Sequence, residues 1–128
     1  MITIVSFGYR HGEPPRADIT LDLRDSLRNP QHNEALRHLT GMHQQVRQHV
    51  LDTRGARTII LHTAAAASDL QATLPDRQIV VAVGCQGGRH RSVSVAEDIA
   101  DLLTWLEAPV QVEHRDIDKP LLPLAATG

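Results

Sequence analysis

Two hydrophobic rhythms alternate along the chain. Residues 2–7 read as a short apolar strand, and Ile19-Thr20-Leu21-Asp22-Leu23 alternates as a half-buried strand does. Ile79-Val80-Val81-Ala82-Val83 is unbroken, the pattern of a strand covered on both faces. Val110-Gln111-Val112-Glu113-His114 alternates again. Between these runs the period changes. Val95, Ile99, Leu102, Leu103 and Leu106 recur at helical spacing and predict a helix over about 91–107, ending before Pro109. Residues 55–74 read as one helix: Thr58-Ile59-Ile60-Leu61 alone would suit a strand, but Ala64 to Leu74 has strong helical propensity. Leu27 to Pro30 predicts a turn. A helix is expected from Asn33, with that residue as its cap, and a second near 42–51 beyond Gly41.

Strands alternating with helices predict an α/β fold. The expected form is a three-layer sandwich: a mostly parallel four-stranded sheet flanked by helices, with a strand–phosphate-loop–helix unit at 79–106. One domain is expected over 1–118 and a flexible tail over 119–128, where periodicity ends. Ligands of such sheets gather beyond the carboxyl ends of the strands. Three segments should therefore meet: Ser6 to Gly12, Cys85 to Ser92, and His114 to Asp116.

The chain has 128 residues, enough for one sizeable core. Its net charge of -2 and pI near 6.4 give no global attraction to nucleic acid or an anionic membrane. Aromatic residues make up only 2%, so stacking platforms for single strands are scarce. One cysteine excludes an intrachain disulfide. Met1 to Val5 lacks a signal-peptide pattern, and no run reaches transmembrane length; a cytoplasmic location is the default expectation. Eight histidines invite a metal, but His38, His43 and His49 lack ligand-pair spacing and no H-E-x-x-H occurs, so neither a metal nor a cofactor is expected.

The chemistry concentrates in Gly84-Cys85-Gln86-Gly87-Gly88-Arg89-His90-Arg91-Ser92, between the third strand and the helix after it. A glycine-rich loop there aims backbone N–H groups and the positive end of the helix dipole at one spot, which suits a phosphate. Arg89, His90 and Arg91 add cationic or protonatable groups, and arginine can grip a phosphate with two donors. The bland alternative is a tight glycine turn over a small buried cysteine. His90 reads either as a phosphate donor or as a solvated helix-start residue. His114-Arg115-Asp116 reads either as part of the site or as a strand-end salt bridge. Arg24, Asp25 and Arg28 suit a solvated face or local ion pairs. Trp105 is expected in the core or as an interface anchor.

The same loop spells C-x-x-G-x-x-R-S from Cys85 to Ser92 and resembles the phosphate loop of cysteine-dependent phosphatases. That resemblance implies Cys85 as nucleophile and Arg91 as phosphoryl holder, with the thiol pKa lowered by the helix N-terminus. Gly84 stands where those enzymes usually carry histidine. Asp76, the nearest acid, precedes the strand and belongs to the opposite end of the sheet.

A wider pattern runs in order along residues 2–116. It comprises Ser6-Phe7-Gly8-Tyr9-Arg10-His11-Gly12, Ala17-Asp18, Leu21-Asp22-Leu23-Arg24, Asn29-Pro30, Leu36 to Gly41, Gly84 to Val93, and His114-Arg115-Asp116. Together these resemble the C-terminal domain of the RapZ (YvcJ) family. The resemblance implies an α/β fold related to sugar-phosphate kinase domains. It also implies a domain that binds glucosamine-6-phosphate and serves as an adapter for small RNAs and an endoribonuclease, as in the best-known member. A phosphorylated small molecule is the partner so implied, with RNA and a homo-oligomer as further candidates. Carried over by motif, the phosphosugar site would use Arg10, His11, Asn29, Cys85, Gln86, Gly87, Gly88, Arg89, His90, Arg91 and Ser92. The phosphate would sit on the Gly87 and Gly88 amides, with Arg91 as main countercharge and Arg10 and His11 closing the site. Gln86 replaces the family's usual threonine, Arg89 its lysine, and Gln31 the histidine that often follows Asn-Pro. No G-x-x-x-x-G-K-[ST] occurs, so the chain is expected as a stand-alone domain without the family's N-terminal P-loop unit. A basic C-terminal tail suited to RNA is not present either: Asp118 and Lys119 lead into an apolar stretch.

Overall fold

The computed structural model describes residues 1–27 and 29–123. The expectations for Arg28 and for the tail at 124–128 lie outside the described residues. Four strands and three α-helices follow in the order β1 (Ile2–Gly8), β2 (Ile19–Asp22), α1 (Gln44–Leu51), α2 (Ala56–Thr73), β3 (Ile79–Cys85), α3 (Arg91–Trp105) and β4 (Val110–His114). Single 3-10 turns occupy Tyr9–His11 and Pro30–His32. The strands form one all-parallel sheet, order β2-β3-β1-β4, flanked by helices. All the expected strands are present within a residue or two, and 56–73 is helix rather than strand.

Alternation sorts the side chains. Ile2 and Ile4 of β1 and Ile79, Val81 and Val83 of β3 join Val46, Val50, Ala64, Ala67, Val95, Ile99 and Leu103 in one buried cluster under the helices. On the other face Thr3 accepts from Gln111 Nε2 at 2.9 Å. Alanines let α2 approach closely: Ala56, Ala64 and Ala67 are fully buried.

The helix expected from Asn33 does not form; residues 34–38 make turns. The carbonyls of Arg37, His38 and Leu39 point at the side chains of His90 and Arg89. Those acceptors hold the next loop instead of an i+4 amide, and local helical propensity yields to the tertiary contact. Trp105 is not in the core. It is 78% exposed at the end of α3.

Register aligns the carboxyl ends of three strands: Gly8 pairs with Cys85, and Asp22 with Gly84. The chain leaves β1 toward β2 and leaves β3 toward β4, in opposite directions across the sheet. The two links therefore cross over the β1–β3 pair rather than diverging from it. Here the crevice between β1 and β3 is shut by backbone. A Cβ on Gly8 would lie 2.7 Å from Gly88 N, so only glycine lets the two loops touch. The cleft lies beside it, over the loop from Cys85 to His90.

Candidate functional site

Cys85 ends β3, and the following residues turn into α3, whose first residue is Arg91. Gly88 makes the turn with φ +71. Its amide donates to Cys85 Sγ at 3.3 Å, and the Cys85 thiol donates to Ser92 Oγ at 3.2 Å. Cys85 is 3% exposed and Ser92 fully buried, so the two knit the loop to the helix from below.

The three basic residues of the loop are held by carbonyls. Arg91, 1% exposed, donates from Nη1 to the carbonyls of Leu23, Arg24 and Leu27 at 2.8, 2.9 and 3.2 Å. Burial lowers its pKa, opposed by the nearby Cys85, Asp25 and Asp22. Arg89 reaches back to Leu39 O at 3.1 Å through Nε and to His38 O at 2.6 Å through Nη2. His90 Nε2 donates to Arg37 O at 2.9 Å. Gly41 completes this clamp: its amide donates to Arg89 O at 2.9 Å, and a Cβ there would sit 2.5 Å from His90 O.

His90 is 4% exposed, and burial pushes its pKa down to about 4, with Arg89 and Arg91 adding repulsion. The imidazole is thus neutral at pH 7. The unfolded chain binds this proton near the ordinary value of about 6.5. Protons therefore favour the unfolded state, and stability is complete above pH 6.5 and falls as pH drops toward 4. The expected loss is about 3 kcal/mol across that window. Urea titrations at pH 7.5, 6, 5 and 4 check this, and His90→Gln should flatten this part of the profile. An unchanged profile in the variant would assign the acid sensitivity to other groups.

The cleft itself has a free volume of ≈ 10 Å³. Its floor is Cys85, Gly87 and His90, with Arg89 and Arg91 at the sides. Asn29 and Gln31 form the far wall; Asn29 Oδ1 also accepts from Gln31 N at 3.1 Å, capping the turn Pro30–His32. Gly87 differs from its neighbours. A Cβ on Gly87 would meet nothing within 4 Å, and its φ lies outside the left-handed range.

The structure thus gathers Asn29, Cys85, Gly87, Arg89, His90 and Arg91 around one cleft. Gly88 and Ser92 support it from behind, and Gln86 O accepts from Arg10 N at 3.1 Å. Arg10 and His11 stand in the 3-10 turn after β1 rather than along the cleft wall. Arg10 reaches over it instead, donating from Nη1 to Pro123 O at 2.8 Å.

In His114-Arg115-Asp116 the ion pairs centre on Asp116. Fully buried Asp116 accepts from Gly8 N at 2.7 Å and pairs with Arg115 at 2.9 Å and Lys119 at 2.6 Å. Burial alone would raise its pKa, but Arg115, Lys119 and the Gly8 amide together bring it down to about 2. His114 Nδ1 lies 2.6 Å from Ser6 Oγ, and its Nε2 lies 2.9 Å from Glu97 Oε2. Arg24 pairs with Asp22 at 2.6 Å and stacks 3.7 Å over the Tyr9 ring. Asp76 lies before β3, at the amino end of the sheet.

Sequence reasoning did not find all of the cleft's lining. Pro120, Leu121 and Leu122 line it together with the loop. The available signal was two leucines between two prolines, just beyond the last strand. Among the described residues, no group of three His, Cys, Asp or Glu side chains is arranged to hold a metal ion, and no helix is long and apolar enough to cross a membrane.

A family model described as the RapZ C-terminal domain matches residues 1–118. A nucleotide-binding protein of Heliobacterium modesticaldum is 40% identical over 124 residues, covering 92% of this chain and 40% of its own. A nucleotide-binding protein of Thermus thermophilus is 40% identical over 122 residues, covering 93% of this chain and 44% of its own. One from Mycobacterium leprae is likewise 40% identical over 122 residues. The chain thus spans about two fifths of the length of these relatives.

Proposed function

The chain belongs to the RapZ C-terminal domain family, and from that membership and the cleft we propose a non-catalytic binding domain for a phosphorylated small metabolite. By family resemblance the ligand is an amino-sugar phosphate such as glucosamine-6-phosphate, and the bound state regulates a partner. The phosphate rests on the Gly87 amide and the N-terminus of α3. Arg91, Arg89 and Arg10 supply positive potential, and Asn29 and Gln31 face the sugar.

One observation carries this reading. Gly87 is a glycine without an internal reason to be one: nothing crowds its Cβ position, and its backbone is not left-handed. A glycine that lines the cleft with nothing packed on its Cβ position suits close approach of a ligand to the backbone. The neutral, buried His90 and the carbonyl-bound Arg89 and Arg91 then act as a rigid frame rather than as groups that must be reorganised on binding.

Gly87→Ala tests the reading. The added methyl should leave the melting temperature within about 2 °C of wild type, since a surface change without strain stays near ±0.5 kcal/mol. Affinity for glucosamine-6-phosphate by calorimetry should fall at least about tenfold, the loss of one charge-assisted bond. Wild-type affinity in the variant would remove the phosphate from this loop.

Trp105, exposed beside the half-exposed Leu106 at the end of α3, favours a contact with a second copy or a partner protein as part of the same regulatory role.

A further inference from the structure

The cleft is nearly full. The space left open to a water-sized sphere is ≈ 10 Å³, about what one water needs, whereas ligand pockets begin near about 300 Å³. The filling comes from the chain itself. After β4, Lys119 anchors the descent: its Nζ pairs with Asp116 Oδ1 at 2.6 Å, and its amide donates to Asp116 O at 3.1 Å. Pro120, Leu121 and Leu122 then line the cleft, and Pro123 follows them. Gln31 Nε2 donates to Leu122 O at 2.5 Å, and Arg10 Nη1 donates to Pro123 O at 2.8 Å. Leu121 and Leu122 lie half-buried against the cleft.

We propose that residues 120–123 are an autoinhibitory strap, which closes the phosphate-binding cleft in the free protein and must be lifted for a ligand to enter. This rests on the ligand site proposed above and adds its regulation. The strap is built to be displaced. Pro120 and Pro123 contribute no N–H, and among the described residues the far end is held through the carbonyls of Leu122 and Pro123. Both donors belong to side chains suited to a ligand: a guanidinium for an anion and a carboxamide for hydroxyls. An anion arriving at Arg10 competes for the same N–H that latches Pro123, so binding and opening are coupled through one group. Among the described residues, the strap's side-chain hydrogen bonds are the exposed one to Arg10 and the part-buried one to Gln31, while the base at Asp116 is fully buried and stays in place. The expected motion is therefore a hinge beyond Lys119, with the domain unchanged.

The test uses the full chain carrying L121S and L122S together, with L121S alone as a milder version should the pair reduce folding. Two readouts separate the strap from the ligand site. The first needs no ligand. Cys85 is the sole cysteine, and it lies in the cleft under the strap. Iodoacetamide should alkylate it about tenfold faster in the variant at equal melting temperature, as expected when a closed state holds about nine tenths of the population. The second is calorimetry with glucosamine-6-phosphate and with inorganic phosphate, where the dissociation constant should tighten by a similar factor. Equal alkylation rates in variant and wild type would overturn the strap, whatever binds. Faster alkylation with no binding of either phosphate compound would uphold the strap and overturn the ligand reading. Weaker binding in the variant would also overturn the proposal, because the strap would then be a wall of the site rather than its block.

Discussion

Arg91→Ala should destabilise the domain by about 3–5 kcal/mol, the range for removing one partner from a buried charged network. For a domain of this size that is a fall of roughly 10–20 °C in melting temperature. The guanidinium is 1% exposed and gives one nitrogen to three carbonyls, those of Leu23, Arg24 and Leu27. These carbonyls belong to the turn after β2, which has no regular structure of its own to satisfy them. Truncation leaves them facing a cavity, and each buried unsatisfied acceptor is penalised by about 1–3 kcal/mol. Arg91→Lys should recover only part of the loss, because a single ammonium cannot reproduce the planar fork. Urea denaturation measures both. A loss under about 1 kcal/mol for the alanine variant would mean that the turn is held by other contacts. The result also decides how Arg91 can be used as a ligand probe: a variant that melts cannot report on affinity, so Gly87 is the better position for that question.

Gly88→Ala should be nearly as damaging, and its contrast with Gly87→Ala is informative. At φ +71 any residue with a Cβ is strained by about 1–2 kcal/mol. The new carbon would also lie 2.5 Å from Gly8 N, 2.7 Å from Phe7 C and 2.9 Å from Asp116 Cβ. The first two are backbone atoms of a central strand and cannot rotate away. Overpacking of this kind adds about 1–3 kcal/mol, for a total near 3 kcal/mol. The push also falls on the Gly8 amide that donates to buried Asp116 at 2.7 Å, so the anchor of the following segment loosens too. Thermal melts of the two alanine variants should therefore diverge: Gly88→Ala loses stability, whereas Gly87→Ala loses ligand affinity alone. Equal stabilities would mean that the β1 and β3 loops can separate without penalty.

Much of the fold was legible in the chain because its local signals agree. The unbroken apolar run of β3 needs cover on both faces, β2 and β4 alternate, and α3 carries its apolar residues at helical spacing. Even the ambiguous stretch 56–73 follows the alanine-rich propensity rather than the β-branched cluster within it. Asn33 to Leu39 shows the opposite outcome. Its propensity and cap are helical, but its carbonyls are drawn off by Arg89 and His90 from fifty residues away. Such a competitor is invisible to any local pattern.

The candidate site divides in the same way. The loop residues that line the cleft were recognisable, because a glycine-rich turn between a buried strand and a helix has one geometry and one polarity, whereas Pro120, Leu121 and Leu122 carried no such signal and Arg10 and His11 do not line it. The direction of each side chain was not. Arg89, His90 and Arg91 stand in a row in sequence, yet tertiary contacts send them to different carbonyls and make the histidine neutral.

The sequence by itself determined the element order, the parallel α/β architecture and the glycine-rich loop between β3 and α3, since periodicity and backbone freedom are local properties. Only the tertiary structure decided that Gly8 and Gly88 bring the β1 and β3 loops into contact, that the loop's cations are held by carbonyls, and that Pro120, Leu121 and Leu122 line the cleft. Those outcomes depend on which backbone groups distant segments leave unsatisfied, and burial makes satisfying them outweigh local preference.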